Sequence, residues 1–299
     1  MKLIVQPDDG LAPLLTAIGQ ARKSVEMMIF RFDRAELEGA LAAAVARGVA
    51  VRTLIAHTAS EGERALRKLE LRLLSAGALV ARTADDLVRY HAKYVVIDRE
   101  RLLLLGFNYT ALDLRSRSFG LEVRTRRVVQ EVARLFEADV ARQPFEPTLD
   151  DVVVSPVNAR ERLAALMSGA RSQLLIYDPK LSDPRMIRLL KERARAGVDV
   201  RIVGRVGKRG EGLPAVPYAG TRLHVRALIA DGERAFVGSQ SFRQLELDRR
   251  RELGLIVRER AIVSQLHATF EHDWMEATGE READAPAASA SHAEAVARA

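Results

Sequence analysis

The 299-residue chain contains no cysteine. Disulfides and thiolate metal sites are therefore excluded. A cysteine-free chain fits a reducing compartment, and the expectation is a cytoplasmic protein, with peripheral contact at a membrane left open. Long apolar runs are absent as well. No window approaches the roughly 18–20 apolar residues of a membrane span, and Met1 to Gly10 holds no secretory signal core. His-x3-His and paired-carboxylate spacings are missing, so neither a metal nor another cofactor is expected. What the chain does have is a hydrophobic fraction of 48%, enough for a full core, and 47 Lys and Arg against 40 Asp and Glu. The net charge of +7 suits an anionic partner, such as nucleic acid, phospholipid headgroups or another phosphate ester. The plainer alternative is a basic surface that serves solubility.

Strand and helix patterns alternate along the chain. Residues 3–5 predict a strand, 11–22 a helix, and 24–32 a strand. A helix over 35–47 follows, capped by Asp33 and stopped by Gly48, and then a strand over 49–56. Residues 62–76 read as a charged amphipathic helix and 79–82 as a strand. A hairpin beginning at His91, a polar loop over 111–118, a strand over 119–124 and a helix over 128–142 complete the pattern. This alternation predicts an α/β fold with parallel sheet members.

After Gln143-Pro144-Phe145-Glu146-Pro147 the order starts again: strand 152–154, helix 158–169, strand 172–177, helix 184–196, Gly197 and strand 198–203. Gly48 and Gly197 lie 149 residues apart, and Ala46-Arg47-Gly48-Val49-Ala50-Val51-Arg52 matches Arg195-Ala196-Gly197-Val198-Asp199-Val200-Arg201. Duplication explains both. The expected organisation is a first half over 1–142, a linker over 143–150, a second half over 151–276 and a disordered Ala- and Glu-rich tail over 277–299.

The most informative stretch is His91-Ala92-Lys93-Tyr94-Val95-Val96-Ile97-Asp98, followed by Asn108 on the return strand. In an extended chain His91 and Lys93 share a face. A base, a cation and an amide at one end of a sheet suit a phosphate. Duplication demands a second copy, and His224-Val225-Arg226-Ala227-Leu228-Ile229-Ala230-Asp231 supplies it, returning through Gly238-Ser239-Gln240-Ser241. The two histidines are 133 residues apart rather than 149, which is explained if the helix over 62–76 has no full counterpart.

His-x-Lys-x4-Asp followed by Asn, with an altered second copy in the other half, resembles the phospholipase D superfamily. The resemblance covers roughly residues 3–274. It implies two duplicated α/β/α sandwich halves with mixed sheets, related by a pseudo-twofold axis. His91, Lys93, Asp98, Asn108 and Glu122 match in the first half, and His224, Asp231, Gly238, Ser239 and Glu252 in the second. Arg226 stands where the family has Lys, Ser241 where it has Asn, and Leu105-Gly106 where it has Gly-Ser. The implied chemistry is metal-free. One histidine attacks phosphorus and the other protonates the leaving alcohol, then activates water or an acceptor alcohol. His91 is the expected nucleophile, because its half keeps Lys and Asn, and His224 the expected acid. Lys93 and Arg226 would neutralise phosphoryl charge, with Asn108 and Ser241 adding hydrogen bonds. By matching positions, Glu252 would orient His91 and Glu122 would orient His224.

Several polar residues have simpler readings. Asp98 and Asp231 suit turns. Arg249-Arg250-Arg251 reads as a solvated charge run, and Lys208-Arg209 as a loop that could line a cleft. His57, His267 and His272 lack partner spacing and read as structural. The implied function is a phosphodiesterase or phosphatidyltransferase acting on phospholipid. A nuclease on the same fold, or a phosphate- or nucleic-acid-binding protein that has lost turnover, are the alternatives.

Overall fold

A computed structural model describes residues 1–58 and 62–279. The first half contains β1 (Lys2–Gln6), α1 (Ala12–Gly19), β2 (Ser24–Ile29), α2 (Ala35–Ala46), β3 (Ala50–Ile55), α3 (Glu63–Ser75), β4 (Leu79–Arg82) and β5 (Arg89–Tyr90). It continues through β6 (Tyr94–Ile97), β7 (Arg101–Leu105), α4 (Ala111–Leu114), β8 (Ser118–Val123) and α5 (Arg126–Ala141). The second half contains β9 (Val152–Ser155), α6 (Ala159–Ser168), β10 (Gln173–Leu181), α7 (Pro184–Arg195), β11 (Asp199–Val206) and β12 (Ala215–Val216). After these come β13 (Ala227–Ala230), β14 (Arg234–Gly238), α8 (Gln244–Asp248), β15 (Arg250–Val257) and α9 (Arg260–Thr278).

The first sheet has the order β1-β8-β7-β6-β2-β3-β4. The second repeats it as β9-β15-β14-β13-β10-β11-β12. In each, the three strands β2, β3 and β4, or β10, β11 and β12, pair in parallel; β5 joins the second sheet in parallel beside β15, and the other pairs are antiparallel. Strands alternate between two buried faces. Val25, Met27 and Ile29 pack with α1, α2 and α3, while Met28 and Phe30 point into a core shared by both halves. The second sheet buries its outer face under α6 and α7 and its inner face in the shared core with α9. Each half is therefore an α/β/α sandwich of mixed strands, and the two halves are joined through one core.

Local signals explain the boundaries. Asp183 caps α7 by accepting from Arg185 N and Met186 N, both at 3.0 Å, with Pro184 next to it. Gly48 and Gly197 follow α2 and α7 at φ +83° and +88°, a conformation only glycine takes cheaply. Asp98 and Asp231 sit at matching left-handed turns, φ 54° and 55°. Asp98 accepts from the N–H groups of Arg22, Lys23 and Ser24, and Asp231 from those of Arg171, Ser172 and Gln173. Where the first half has α3, the second has only a short 3-10 turn, Lys208–Gly210, which accounts for the shortened spacing between the histidines.

Four sequence expectations need correction. Asp33 does not cap α2; its carboxylate accepts from Ala111 N at 3.0 Å and holds α4 instead. The stretch 111–118, read as a polar loop, contains α4 and a buried Asp113. The run Arg249-Arg250-Arg251 is not solvated throughout: Arg251 is buried and its guanidinium pairs with Asp139 at 3.1 Å. Helix α9 runs on to Thr278, so residues 277 and 278 are helical, and the remainder of the expected disordered tail, from 280, lies outside the described residues.

Candidate active site

The regular strand of the first motif starts at Tyr94, not at His91. His91 and Ala92 instead donate their N–H groups to the Arg251 carbonyl at 2.7 and 3.0 Å, across the boundary between halves. The second motif mirrors this: His224 N donates to the Arg117 carbonyl at 2.9 Å. Each histidine is thus tied by its backbone to the last sheet strand region of the opposite half. The expected alternation of faces holds, because Ala92, Tyr94 and Val96 enter the shared core while Lys93 turns toward His91. At the centre the two return strands come so close that a Cβ on Gly106 would lie 2.8 Å from the Phe119 carbonyl oxygen and 3.1 Å from that of Gly238. A Cβ on Gly238 would stand 2.7 Å from Gly254 Cα.

Each imidazole meets a buried carboxylate from the other half. His91 Nδ1 is 2.9 Å from Glu252 Oε2. With Nδ1–H donating to Glu252, Nε2 is left as the nitrogen with a lone pair; Lys93 Nζ lies beside the ring, 2.8 Å from Nδ1 and 3.0 Å from Nε2. His224 Nδ1 lies 3.2 Å from Asp113 Oδ1, within ion-pair distance but without hydrogen-bond geometry. Asp113 also accepts from Arg222 Nη1 at 2.5 Å and from Asn108 through both its backbone N (3.1 Å) and Nδ2 (2.5 Å).

Glu122 takes no part in this contact. Its carboxylate lies 3.4 Å from Arg101 and 3.1 Å from Arg124. The strand register explains the misassignment. Leu105 pairs with Gly120, and its equivalent Gly238 pairs with Gly254. Ser118 is therefore the counterpart of Glu252, and Glu122 that of Ile256. One numerical signal was available in the sequence: Glu122 and Glu252 are 130 residues apart, whereas the histidines are 133 apart, as are Asp113 and Glu246. Glu246 repeats the role of Asp113 toward the backbone, accepting from Ser241 N at 2.8 Å.

Arg226 has one guanidinium nitrogen 3.0 Å from the His224 carbonyl oxygen it donates to, while its Nε is buried with no partner. Asn108 Oδ1 and Glu252 Oε1 are likewise buried and unpaired. The Ser241 hydroxyl donates to Asp178 at 2.5 Å, so its proton is committed away from the histidines. Ser239 Oγ accepts from Leu253 N at 3.2 Å and fixes β15 beside Glu252.

Burial lowers the pKa of both histidines well below the ordinary value, and the neighbouring cations add to it: Lys93 then Arg226 at His91, Arg226 at His224, where Asp113 opposes the shift. Lys93 is lowered to about 7, by burial first, with Glu252 opposing and Arg226 adding. Burial raises Glu252, against Lys93. At Asp113 burial pushes upward, but His224, Arg222 and Asn108 outweigh it and hold the carboxyl well below the usual range. Lys93 and Arg226 each act on both imidazoles, so the two motifs form one electrostatic cluster. Lys93 and Arg226 both disfavour protonated imidazoles, an effect that an anion placed between them would offset.

The other histidines lie apart from this cluster. His57 Nδ1 is 3.3 Å from Thr83 Oγ1, and His267 Nε2 is 3.1 Å from Gln173 Oε1. His272, Asp273 and Glu276 have ligand atoms close together, but both Asp273 oxygens are already taken, by Arg117 at 3.0 Å and the Tyr177 hydroxyl at 2.6 Å. Arg209 lines a surface groove with Arg188, Lys191 and Arg195 rather than the histidine cleft.

A family model described as "Cardiolipin synthase, PLD-like domain" matches residues 14–140 and 163–274. Mitochondrial cardiolipin hydrolase of Mus musculus is 27% identical over 143 residues, 47% of this chain and 62% of the relative. The dog protein of the same name shows 27% identity over 143 residues and 54% of its length, so the match spans little more than half of these curated relatives. Among solved structures, polyphosphate kinase from Porphyromonas gingivalis superposes with TM-score 0.74 at 20% identity, over 91% of this chain and 50% of that one. Phosphatidylserine synthase of Haemophilus influenzae Rd KW20 gives TM-score 0.69 at 11% identity, over 92% and 85%. Both likenesses are of fold. No helix among the described residues is long and apolar enough to cross a membrane.

Proposed function

Since the chain belongs to the family of cardiolipin-synthase-like phospholipase D domains, we propose that it is a phosphodiesterase or phosphatidyltransferase that works through a phosphohistidine, with phospholipid as its substrate. The observation that carries this reading is the cross-paired cluster: two neutral imidazoles, each against a buried carboxylate of the opposite half, around Lys93 and Arg226. His91 Nε2 attacks phosphorus. The N–P bond forms as the P–O bond to the leaving alcohol breaks, and His224 delivers its proton to that oxygen. In the second step water, or an acceptor alcohol, gives its proton back to His224 and attacks phosphorus, and the N–P bond to His91 breaks. Glu252 supports His91 as charge develops on it. The substrate's own negative charge offsets Lys93 and Arg226 and so favours the protonated His224 that the first step needs.

Phospholipid is preferred because the matching family model and the curated relatives bear lipid names; membrane contact would then be peripheral. A second reading, a phosphate-binding protein without turnover, draws support from Ser241, whose hydroxyl is committed to Asp178. Incubation with a chromogenic phosphodiester in the presence of a chelator separates the two. Turnover that disappears in His91→Ala, with labelled phosphate trapped on histidine in the wild type, is the expected result. Equal rates in wild type and His91→Ala would end the catalytic reading. Phosphatidylglycerol vesicles against single-stranded DNA then decide between lipid and nucleic acid.

A further inference from the structure

The surroundings of the two histidines are not electrostatically equivalent. On the His224 side, Arg222 has an anion: its Nη1 donates to Asp113 at 2.5 Å and to Ser116 Oγ at 2.9 Å. On the His91 side the equivalent arginine is Arg89, and the place of Ser116 is taken by Arg250. Arg89 and Arg250 stand directly opposite each other in the parallel pairing of β5 with β15. Like charges in that position repel. Glu246, the counterpart of Asp113, is drawn to Arg250 at 2.9 Å, and Arg89 is left without an ion pair, with Glu252 and Glu246 acting on it only from a distance. The Nε atoms of Arg89 and Arg250 are buried without a hydrogen-bond partner. The Arg89 guanidinium lies over the Phe30 ring, 5.2 Å from its centroid, and Phe30 in turn packs edge-on against His91 at 4.6 Å. Arg31 approaches the same ring at 5.9 Å. Burial first, then Arg250 and Arg31, lower the pKa of Arg89, and Glu252 and Glu246 only partly oppose the shift.

We propose that Arg89 and Arg250, around Phe30, form a second phosphate subsite next to His91, so that the substrate carries another phosphate close to the one under attack. This rests on the phosphodiester reading and narrows it to molecules with at least two phosphates. A guanidinium pair can hold a phosphate through two or more charge-assisted hydrogen bonds, and such a group would replace the anion that Arg222 finds in Asp113 on the other side. Two sources share this chemistry, a nucleotide chain and a bis-phosphate lipid headgroup.

The test compares one-phosphate with two-phosphate diesters by calorimetry at low salt, using soluble pairs. Thymidylyl-thymidine against the trinucleotide TpTpT probes the nucleic-acid source, and glycerophosphoglycerol against bis(glycerophospho)glycerol probes the lipid headgroup. In the wild type the two-phosphate member of one pair is expected to bind about tenfold tighter than its partner, the worth of one charge-assisted contact set. Arg89→Gln should remove most of that advantage, and Arg89→Lys, which keeps the charge, should retain part of it; melting curves verify that both variants fold. Equal affinity within both pairs, or an advantage that persists in Arg89→Gln, overturns the subsite. Failure of the phosphodiesterase reading shows separately, as a binding advantage without any turnover of the chromogenic diester.

Discussion

Exchanging Asp113 for asparagine pits the tertiary structure against the residue that motif spacing selects for the same role, Glu122. Asp113→Asn keeps an oxygen for the Asn108 N–H but removes the charge facing His224 and Arg222. Hydrogen bonds to charged partners contribute about 1.5–3 kcal/mol where neutral ones contribute about 1. If that support is needed when His224 is protonated, the loss of about 0.5–2 kcal/mol lowers kcat roughly two- to thirtyfold, at 1.36 kcal/mol per decade. The pH profile adds a sign. Without the carboxylate the charged form of His224 is less favoured, so its pKa drops further and the alkaline limb of kcat moves to lower pH. Glu122→Gln is the control. It loses a partly buried pair with Arg101 and a surface pair with Arg124, neither near the histidines, and kcat should stay within about twofold. Steady-state kinetics on a chromogenic diester from pH 5 to 9, with a melting curve for each variant, makes the measurement. A silent Asp113→Asn, or a Glu122→Gln as damaged as Asp113→Asn, would refute the assignment.

Four further predictions come from contacts already described. Lys93, lowered to about 7, is largely neutral in the empty site at pH 8 and regains its proton when an anion binds. Inorganic phosphate binding at pH 8 should therefore take up protons, read as a buffer-dependent enthalpy in calorimetry; identical enthalpies in buffers of different ionisation heat would contradict it. By the same linkage, Lys93 makes the ligand-free fold gain stability as pH rises from about 7 toward the ordinary lysine pKa, because the unfolded chain binds more protons in that window. Arg251→Ala breaks the buried pair with Asp139 that spans the two halves and should cost about 3–5 kcal/mol in urea unfolding, followed by Trp274 fluorescence; a loss below about 1 kcal/mol, the range of surface pairs, would count against a structural role. Asp98→Ala and Asp231→Ala each remove an acceptor shared by three backbone N–H groups. Both should lower stability by a similar amount, about 1–3 kcal/mol, and leave the kinetic pH limbs in place; clearly unequal losses would break the equivalence of the two turns.

The fold was legible because its signals are local. Gly48 and Gly197 end equivalent helices, the apolar strands alternate with helices of regular period, and the 149-residue offset recurs on both sides of each glycine. The cluster was legible only in part. Lys93 lies beside His91, as a strand's alternation implied, and Glu252 meets His91, as the family resemblance implied. Asp113 was hidden in a segment that looks like a loop, and Glu122 was chosen in its place because a carboxylate near the end of a strand looks the same in sequence whichever way it points. A shift of four residues along β8 keeps the face but moves the side chain away along the strand, to the neighbourhood of Arg101.

Sequence by itself determined the doubled α/β scaffold, the two histidine motifs and the substitutions at Arg226 and Ser241, because periodicity, turn residues and repeats are properties of neighbours along the chain. The tertiary structure decided which carboxylate faces which imidazole, where the proton of Ser241 goes, and why Arg89 confronts Arg250. Those outcomes depend on strand register and on the contact between halves, where partners far apart in sequence meet, and no local pattern encodes a distance across that boundary.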